Sequence, residues 1–418
     1  MGVIKTYEEK KKELEKIVKK SPVPIVNVVE EDPSSEIKWR SSTIRAEKTI
    51  TGPFRALQIN PYGYSEGKVT KKADARKMAE IFLRFDEDKV DNLIEETEEE
   101  NDALSEQKAI LQNQSSQIKD DAPFTIVNFD FPTESEDLDH DGNWIQTVVQ
   151  LIRKYGSDIL FLVPPKSAIT AESVIDYQLS AFEKNLTLEH PIYVSGYVPF
   201  IHPLESIKLI ETYLECGINA IIYDFRNRRL NDTSLTHLIA IASEQEKPPF
   251  IHGLHVTPNR KASPYDSLLD LSLPSFGIQT ISNLRRTGGG SSKKDEKVKI
   301  DTRLFRSIRC IHGYYYPKYG QYKSKQFQCP HCSLNEIDQA FNGLVKARYS
   351  EQVTKFNAEI SFEEMMNIKS RIKEKSFRAY INDKPGILSL DTTLANFENL
   401  LKTEKSRIKE ITAGMSEW

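Results

Sequence analysis

The chain has 418 residues, 39% of them hydrophobic, and a formal net charge of −4 at pH 7. This apolar fraction can build one large core or two ordinary ones, which excludes a largely disordered chain. The near-neutral charge excludes nucleic-acid binding driven by bulk electrostatics, although a local basic face stays open. The sequence has no long apolar stretch and no signal-peptide core, so we expect a cytoplasmic protein that does not enter a membrane.

Residues 1–120 are predicted to form an N-terminal α+β extension of mixed strands and polar helices. A charged segment with helical spacing comes first, and the short β-like runs IVNVVEE and FRALQINP follow it. From Lys71 to Asp121 the pattern is helical and polar, and its acidic block is typical of a solvated helix face or a linker. We assign this extension no function beyond packing on the rest of the chain or contacting a partner.

Residues 121–418 alternate short apolar runs with amphipathic segments, which is the pattern of repeated β-α units. The runs predicted as buried strands are FTIVNFDF, DILFLVPP, PIYVSGYVP, INAIIYDFR, PFIHGLHV and FGIQTISN. Together with the earlier RALQINP, they predict an α/β fold whose parallel strands form a (β/α)8 TIM-type barrel. A doubly wound sheet is the alternative. No Gly-rich nucleotide motif follows any strand, which counts against the nucleotide-binding form of that sheet.

Polar residues collect at the carboxyl ends of the predicted strands, where TIM barrels hold their active sites. Any one of them could equally be a helix cap or a hydrogen-bonded structural group, but several on one face favour a binding pocket. The arginines after Asp224, which are Arg226, Arg228 and Arg229, would suit a phosphate backbone. The candidates are Asp130, Ser195, Gly196, Tyr197, Asp224, Arg226, His252, His255, Gln279 and Ser282.

The motif C-P-H-C has the spacing of a zinc knuckle, because the thiolates of Cys329 and Cys332 can both reach one tetrahedral ion. Cys310 and His312 lie upstream, across an aromatic segment predicted to form a hairpin, and they would complete the site. His331 is the rival fourth ligand. Four protein ligands would make a closed, structural zinc ribbon, since catalytic zinc keeps one position open.

Two basic segments near the predicted pocket favour a nucleic-acid partner. Leu284–Arg303 is a Gly-, Ser- and Lys-rich loop directly after the strand that bears Ser282. Gly313–Tyr322 carries tyrosines near lysines, inside the predicted zinc subdomain of residues 305–345. Lysines can meet phosphates, and tyrosines can stack on splayed bases. The alternative is a solvated loop and a hairpin whose tyrosines pack on the barrel. Whether the chain forms a homo- or heterodimer stays open.

The segment FQCPHCS resembles the zinc knuckle of the tRNA-guanine transglycosylases, especially the archaeal enzymes, whose pattern is C-x-C-P-x-C-S. The helical FNAEISFEEMMNIKSRIKEKSFRAYI is similar to the segment that closes the barrel of that family. IVNFDFPTE resembles its base-recognition strand, and FGIQTISN its Gly-Ile-Asp-Met-Phe-Asp strand. PIYVSGYVP and IHGLHV stand where the family has Gly-rich loops. The resemblance covers residues 123–382 and is strongest after Gln328.

The resemblance implies a zinc-containing TIM barrel that exchanges a guanine in tRNA for a 7-deazaguanine base, with relatives that act on DNA. In that family one Asp attacks the ribose and forms a covalent intermediate, while another recognises the purine or 7-deazapurine base. On this chain the resemblance implies Asp130 as the base-recognising carboxylate. It also implies Gly196 and Gly253 as loop positions and Cys329 and Cys332 as two zinc ligands.

Several positions depart from the pattern of that family. Ser282 stands at the nucleophile position, and Gln279 stands at the first Asp of the same strand. Phe327 and Phe356 stand at two zinc-ligand positions. The Asp-Ser-Gly-Gly-Phe-Gln motif of the family is absent from the N-terminal part. The resemblance therefore implies a divergent member.

Three interpretations follow from these observations. The first is a divergent pentosyltransferase that exchanges a base in tRNA or DNA, with Asp224 or Asp130 as the nucleophile. The second is a catalytically silent paralogue that binds nucleic acid or a catalytic partner subunit. The third is a barrel of unrelated chemistry that shares a zinc ribbon. A strand-end carboxylate within reach of a ribose would separate the first two.

Overall fold

The computed structural model describes residues 5–59, 77–84, 123–130, 138–226, 228, 232–256, 273–283, 308–309, 315–316, 349–382 and 390–415. Within these ranges the chain is a mixed α/β protein in which parallel strands alternate with helices, as the sequence pattern predicts. None of the helices in these ranges is both long and apolar enough to cross a membrane.

The strands form antiparallel and parallel sheets. An antiparallel sheet near the N-terminus has the order β1 (Ile25–Asp32), β2 (Trp39–Arg45), β3 (Thr49–Thr51). The parallel strands are β4 (Phe54–Arg55), β5 (Leu57–Ile59), β6 (Met78–Arg84), β7 (Phe124–Asp130), β8 (Ile159–Leu160), β9 (Tyr193–Val194), β10 (Gly196–Val198), β11 (Ala220–Asp224), β12 (Phe250–Val256) and β13 (Thr280–Asn283). A short antiparallel pair joins β14 (Ile308–Arg309) to β15 (Tyr315–Tyr316).

Parallel pairing connects strands that are neighbours in the chain. One sheet has the order β10-β11-β12-β13-β4, a second has β5-β6-β7, and β8 pairs with β9. A single residue, Ala56, separates β4 from β5, and Ser195 separates β9 from β10. Strand β4 lies beside β13, with Phe54 opposite Thr280. Because the paired strands run in parallel, their carboxyl ends lie on the same side of each sheet.

Strand β6 corrects the sequence prediction, which gave residues 71–121 a helical pattern. Met78–Arg84 pairs in parallel with β5 on one side and with β7 on the other, where seven residue pairs keep one register. Both faces of β6 are buried, and this burial stabilises the strand between its neighbours β5 and β7. The polar Glu80 and the charges around the strand hide this apolar pattern in the sequence.

Helices between the parallel strands confirm four of the predicted amphipathic segments, whereas a fifth, SPYDSLLDLSL, lies almost wholly outside the described residues. These helices are α2 (Trp144–Lys154), α3 (Ala171–Leu186), α4 (Pro203–Glu215) and α5 (Thr233–Glu244). Their starts follow ordinary capping chemistry, since Thr170 forms a capping box before α3 and Asp232 accepts from the backbone N of Ser234. Pro203 occupies the first turn of α4, where its missing N–H costs nothing.

Further helices precede and follow this region. The N-terminal helix is α1 (Tyr7–Val18), and the C-terminal ones are α6 (Tyr349–Lys373), α7 (Phe377–Asn382) and α8 (Leu390–Met415). Helix α1 packs against α3, and α8 packs against α5. A buried hydrogen bond supports the second contact, because His237 Nδ1 of α5 lies 2.6 Å from Glu404 Oε1 of α8.

The two faces of the parallel strands pack into two apolar cores. The smaller core gathers one face of the strands and includes Phe124, Ile126 and Tyr197. The larger core lies between the other face and the helices, and it includes Val127 of β7 with Val148 of α2. Successive residues Ile126 and Val127 therefore enter different cores, as the alternation of a strand requires.

Strands from both sides of residue 120 belong to the same sheets, since β6 pairs with β7 and β4 pairs with β13. The antiparallel β1-β2-β3 sheet also contacts the later part of the chain, because Trp39 Nε1 donates to the carbonyl of Ser275 at 2.8 Å. The boundary between residues 1–120 and 121–418 stays a prediction. Shared strands nevertheless join the two parts.

Candidate functional site

Six polar side chains form a hydrogen-bonded group toward the carboxyl ends of the parallel strands, and we name it the strand-end cluster. Its members are Glu80 (β6), Asn128 (β7), Tyr197 (β10), Asp224 (end of β11), Arg226 (after β11) and His255 (β12). All of them except Arg226 are at most 1% exposed. Burying polar groups is costly unless hydrogen bonds compensate it, so the bonds of this cluster indicate what it can do.

Asp224 is the central acceptor of the strand-end cluster. Its Oδ1 accepts from the backbone N of Arg226 at 2.8 Å and lies 3.1 Å from Nδ1 of His255. Its Oδ2 accepts from the Tyr197 hydroxyl at 2.6 Å and from Nε of Arg226 at 2.8 Å. Both carboxylate oxygens are therefore occupied, which holds the side chain in place and leaves little capacity for another partner.

Asp224 is ionised in this environment. Burial alone would raise the pKa of Asp224, but the electrostatic attraction and the hydrogen bonds of His255 and Arg226 outweigh it and hold that pKa well below its usual value. Burial, and then the charge of Asp224, raise the pKa of Tyr197 well above its usual value. The phenol therefore stays neutral and donates to the carboxylate.

His255 reaches Asp224 because β12 leaves the regular strand conformation there. The φ of His255 is 55°, in the left-handed region, and the register with β13 shifts between Gly253 and Val256. Leu254 packs in the smaller core, so regular alternation would send the next side chain to the opposite face. The left-handed residue turns the imidazole back toward Asp224. Such conformations are uncommon outside glycine and often lie at functional sites.

Asn128 links His255 to Glu80. Its Nδ2 lies 2.8 Å from Nε2 of His255 and donates to Oε1 of Glu80 at 3.2 Å. Nδ1 of His255 faces the ionised Asp224 and carries the proton, so Nε2 accepts and the amide uses both of its hydrogens. The remaining oxygens, Oε2 of Glu80 and Oδ1 of Asn128, are buried and have no hydrogen-bond partner. These two acceptors are the unsatisfied part of the cluster.

A second polar group lies on β12 and β13. Nε2 of His252 is 3.2 Å from Oγ of Ser282, and its Nδ1 is 2.9 Å from Oγ1 of Thr280. Burial, and then the neighbouring His255, lower the pKa of His252 to about 3, so this imidazole is neutral. Ser282 therefore has a histidine neighbour, but a threonine stands where a serine hydrolase has its carboxylate.

Two predicted site residues make structural contacts between strands. Oε1 of Gln279 accepts from the backbone N of Ile251 at 2.7 Å. Oγ of Ser195 donates to the carbonyl of Leu160 at 2.9 Å. Each side chain therefore satisfies a backbone group of the neighbouring strand, at a position where the strands are irregular.

The predicted loop glycines have a packing explanation. A Cβ at Gly196 would lie 2.4 Å from the ring of Tyr213, and a Cβ at Gly253 would lie 3.1 Å from the ring of Phe225. Both positions belong to strands, β10 and β12, rather than to loops. The close approach of a buried aromatic ring explains glycine at position 196, since no larger residue fits there.

The prediction that the arginines after Asp224 face a phosphate backbone is wrong for Arg228. Its side chain is 0% exposed, and it lies 3.1 Å from the carboxylate of Asp232. It also donates to the Tyr223 hydroxyl at 2.8 Å and to the carbonyl of Pro199. The side chain of Arg226 is 24% exposed and bonds Asp224. Arg229 lies outside the described residues.

Several of the predicted site residues have side chains that lie outside the described part of the chain. Asp130 ends β7, two positions after Asn128, but its side chain lies outside the described part of the chain. The Leu284–Arg303 loop and most of the tyrosine-rich segment also lie outside it. So do the predicted zinc ligands Cys310, His312, Cys329 and Cys332. Among the side chains that are described, no group of three or more His, Cys, Asp or Glu could hold a metal ion.

Sequence reasoning missed Glu80 and Asn128. Glu80 lies in the stretch predicted to be helical. Residues 78–83, MAEIFL, are nevertheless all apolar except Glu80, which is the pattern of a short strand buried on both faces. Asn128 interrupts the apolar run FTIVNFDF two positions before its aspartate. A polar residue inside an otherwise apolar buried strand is a signal that could have identified both.

Comparisons with known proteins give no family for the chain. No family model matches it, and no curated protein matches it. A solved structure from Coccidioides immitis, provisionally described as a fructose-1,6-biphosphate aldolase, is 12% identical, covers 78% of this chain and 92% of its own, and has a TM-score of 0.33. A similarity this low carries no argument about fold or function.

Proposed function

We propose that the chain is a pentosyltransferase that exchanges a purine or 7-deazapurine base in tRNA or DNA. One observation carries the proposal, namely the buried pair of Asp224 and His255 that a left-handed backbone holds at the strand ends. Base exchange needs a group that gives a proton to the leaving base and takes one from the incoming base. A histidine oriented by an ionised carboxylate suits that task. The resemblance of the zinc knuckle supports the same reaction.

We further propose that the parallel strands close into an eight-stranded barrel. Strand pairs lead from β9 and β10 through β11, β12 and β13 to β4 and β5, and then to β6 and β7. The backbone N of Asp158, just before β8, donates to the carbonyl of Thr125 in β7 at 2.9 Å, and β8 pairs with β9. This order supports closure. In such barrels the carboxyl ends of the strands carry the active site.

Asp130 is our candidate nucleophile. Asp224 is poorly suited to attack, since its oxygens accept from Tyr197, Arg226 and His255. Asp130 ends β7, two residues after Asn128 of the strand-end cluster.

In the proposed reaction the Asp130 carboxylate attacks C1′ of the ribose. The bond from C1′ to the base nitrogen breaks, and its electron pair leaves with the base. His255 gives the leaving base a proton from Nε2, whose contact with Asn128 opens when that nitrogen is protonated, and Asp224 balances the charge. The incoming base loses a proton to His255, and its nitrogen attacks C1′ and releases the carboxylate. One base replaces another, and no oxidant or cofactor is consumed.

We propose that zinc has a structural role in this enzyme. The four predicted ligands, Cys310, His312, Cys329 and Cys332, are two thiolates in a knuckle and a Cys-x-His pair upstream. This donor set matches tetrahedral sites that hold a subdomain together. The Lys-rich and Tyr-rich segments nearby would then contact the nucleic acid.

A silent paralogue is the second candidate. Gln279 and Ser282 stand where the resemblance implies carboxylates, and each is engaged in a contact of its own, with the backbone of Ile251 and with His252. A chain without these carboxylates could still bind nucleic acid or a catalytic partner subunit.

A base-exchange assay tests the proposal. The full-length chain would be incubated with radiolabelled guanine and either total tRNA or duplex DNA. We expect label in one nucleic acid, a loss of about 100-fold or more in Asp130→Asn, and a loss of about 100-fold in His255→Gln. Glu189→Gln is the matched control, because that carboxylate is 91% exposed and precedes β9, away from the carboxyl ends.

The two candidates predict different results in that assay. Incorporation that persists in Asp130→Asn would reject this nucleophile. A folded parent protein that incorporates no label into either nucleic acid, yet shifts tRNA or DNA in a gel, would reject base exchange and support the silent paralogue.

A further inference from the structure

The strand-end cluster leaves two buried acceptors unsatisfied. Glu80 is 1% exposed and Asn128 is 0% exposed, and neither Oε2 of the first nor Oδ1 of the second has a hydrogen-bond partner. An unmet buried polar atom costs about 1 to 3 kcal/mol, and more when it is charged. Native proteins therefore rarely keep such atoms without a partner, which is another protein group, a bound water or a ligand. Two of them on adjacent strands point to a ligand.

The orientation of the Asn128 amide follows from its neighbours. Its Nδ2 contacts both Oε1 of Glu80 and Nε2 of His255, which accepts because Nδ1 faces Asp224. The flipped amide would put its oxygen against the Glu80 carboxylate and leave that contact without a hydrogen. Oδ1 therefore remains an acceptor, on the other side of the amide from its two partners.

The chemistry of the pair selects its ligand. Oε2 of Glu80 and Oδ1 of Asn128 are both acceptors, and one belongs to a carboxylate. A matching group presents neighbouring N–H donors, and a metal ion is less suitable because the described side chains offer no cluster of three ligands. The ring N–H and exocyclic amino group of a 2-amino-oxo purine or 7-deazapurine form such an edge.

We propose that Glu80 and Asn128 are the specificity-determining pair that accepts these donors from the base, an inference that rests on the proposed function. Hypoxanthine lacks the amino group and leaves one buried acceptor unmet. 1-Methylguanine lacks the ring donor and adds a clash. Each defect lowers affinity by about 10- to 100-fold, which follows from the cost of an unmet buried acceptor.

Equilibrium binding of free bases to the full-length chain tests this pair. Calorimetric titrations with guanine, hypoxanthine and 1-methylguanine would be run on the parent protein, on Glu80→Gln and on Glu189→Gln. We expect the parent and Glu189→Gln to prefer guanine by about 10- to 100-fold. We expect Glu80→Gln to lose most of that preference, because its amide has a donor that faces the amino group of guanine. Circular dichroism would verify that each variant is folded.

The ligand series keeps the inference falsifiable even if Glu80→Gln fails to fold. A parent that binds guanine without preference over hypoxanthine and 1-methylguanine would overturn the inference and indicate that water alone satisfies the two acceptors. A folded Glu80→Gln with full preference would overturn the role of Glu80. Base exchange is measured separately, by label incorporation. A parent that exchanges bases but binds the three bases equally well would therefore refute the role of Glu80 and Asn128 and leave the proposed function intact. A parent that neither binds nor exchanges a base would refute both.

Discussion

Replacing Asp224 with asparagine would remove the acceptor on which the strand-end cluster depends. The carboxylate receives hydrogens from Tyr197 and Arg226 and faces His255 at 3.1 Å. The asparagine amide has nearly the same shape but carries no charge, and its NH2 group would face one set of donors. The variant therefore tests the charge of the residue and leaves its volume almost unchanged.

The size of the effect follows from burial. Asp224 is 1% exposed, and removing one partner of a buried ion pair costs about 3 to 5 kcal/mol. Arg226 is partly exposed, with 24% of its side chain in contact with solvent, so water compensates some of the loss at that end. We therefore expect Asp224→Asn to lower the free energy of unfolding at pH 7 by about 3 kcal/mol.

The pH dependence of this loss has a definite sign. The pKa of Asp224 is held well below its usual value of 3.8 in the folded protein, so the unfolded chain takes up a proton first as the pH falls. The stabilisation is fully present above the unfolded pKa and decreases as the pH falls below about 4. The difference between the parent and the asparagine variant should decrease in the same range.

Urea unfolding at pH 7 and at about pH 3.5 measures both quantities. Asp141→Asn is the matched control, since that side chain is 86% exposed and should leave stability unchanged within about 0.5 kcal/mol. A variant as stable as the parent at pH 7 would refute the argument that Asp224 is a buried, ionised acceptor. A difference that persists unchanged at low pH would refute the depressed pKa.

Two further predictions concern His252 and the predicted zinc site. The pKa of His252 is about 3 in the folded protein, against an ordinary value of 6.5. The free energy of unfolding of the parent should therefore fall by about 1.4 kcal/mol per pH unit as the pH decreases from 6.5 toward 3. Urea titrations of His252→Asn should lack this slope. If stability fell equally steeply with pH in the two proteins, His252 would not be a buried, neutral imidazole. The parent should bind about one zinc per chain by elemental analysis, and Cys329→Ser and Cys332→Ser should lose it. Cys216→Ser is the control, because burial raises the pKa of that thiol to about 11 and makes it a poor ligand. Zinc retained by both knuckle variants would exclude the predicted ligands.

Local sequence patterns predict most of the alternation of strands and helices. Apolar runs such as INAIIYDFR are buried on both faces, and amphipathic segments such as PLESIKLIETYLECG bury one face, so periodicity distinguishes them. Local capping residues add the helix starts, as Asp232 does for α5. These signals depend on short stretches of chain, and the structure confirms them for the described residues.

Local sequence patterns do not predict which strands pair when the strands are far apart in the chain. Strand β6 is an extended segment because β5 and β7 supply its hydrogen bonds from both sides, whereas its own sequence is short and flanked by charges. Missing that strand also hid Glu80. Likewise, the sequence marked Gly196 as a loop position, while the ring of Tyr213, packed against it from α4, explains the glycine.

The site shows the same division between sequence and tertiary structure. The residue types and strand ends predicted Tyr197, Asp224 and His255 as polar candidates, but not that they touch. Alternation alone would turn His255 away from Asp224, and the left-handed φ of 55° that reverses it coincides with the register shift between β12 and β13. The contact of Asn128 with both His255 and Glu80 needs three strands in a fixed order. Local sequence determines which residues lie in each strand, whereas contacts among side chains depend on the relative position of strands that are far apart in the chain.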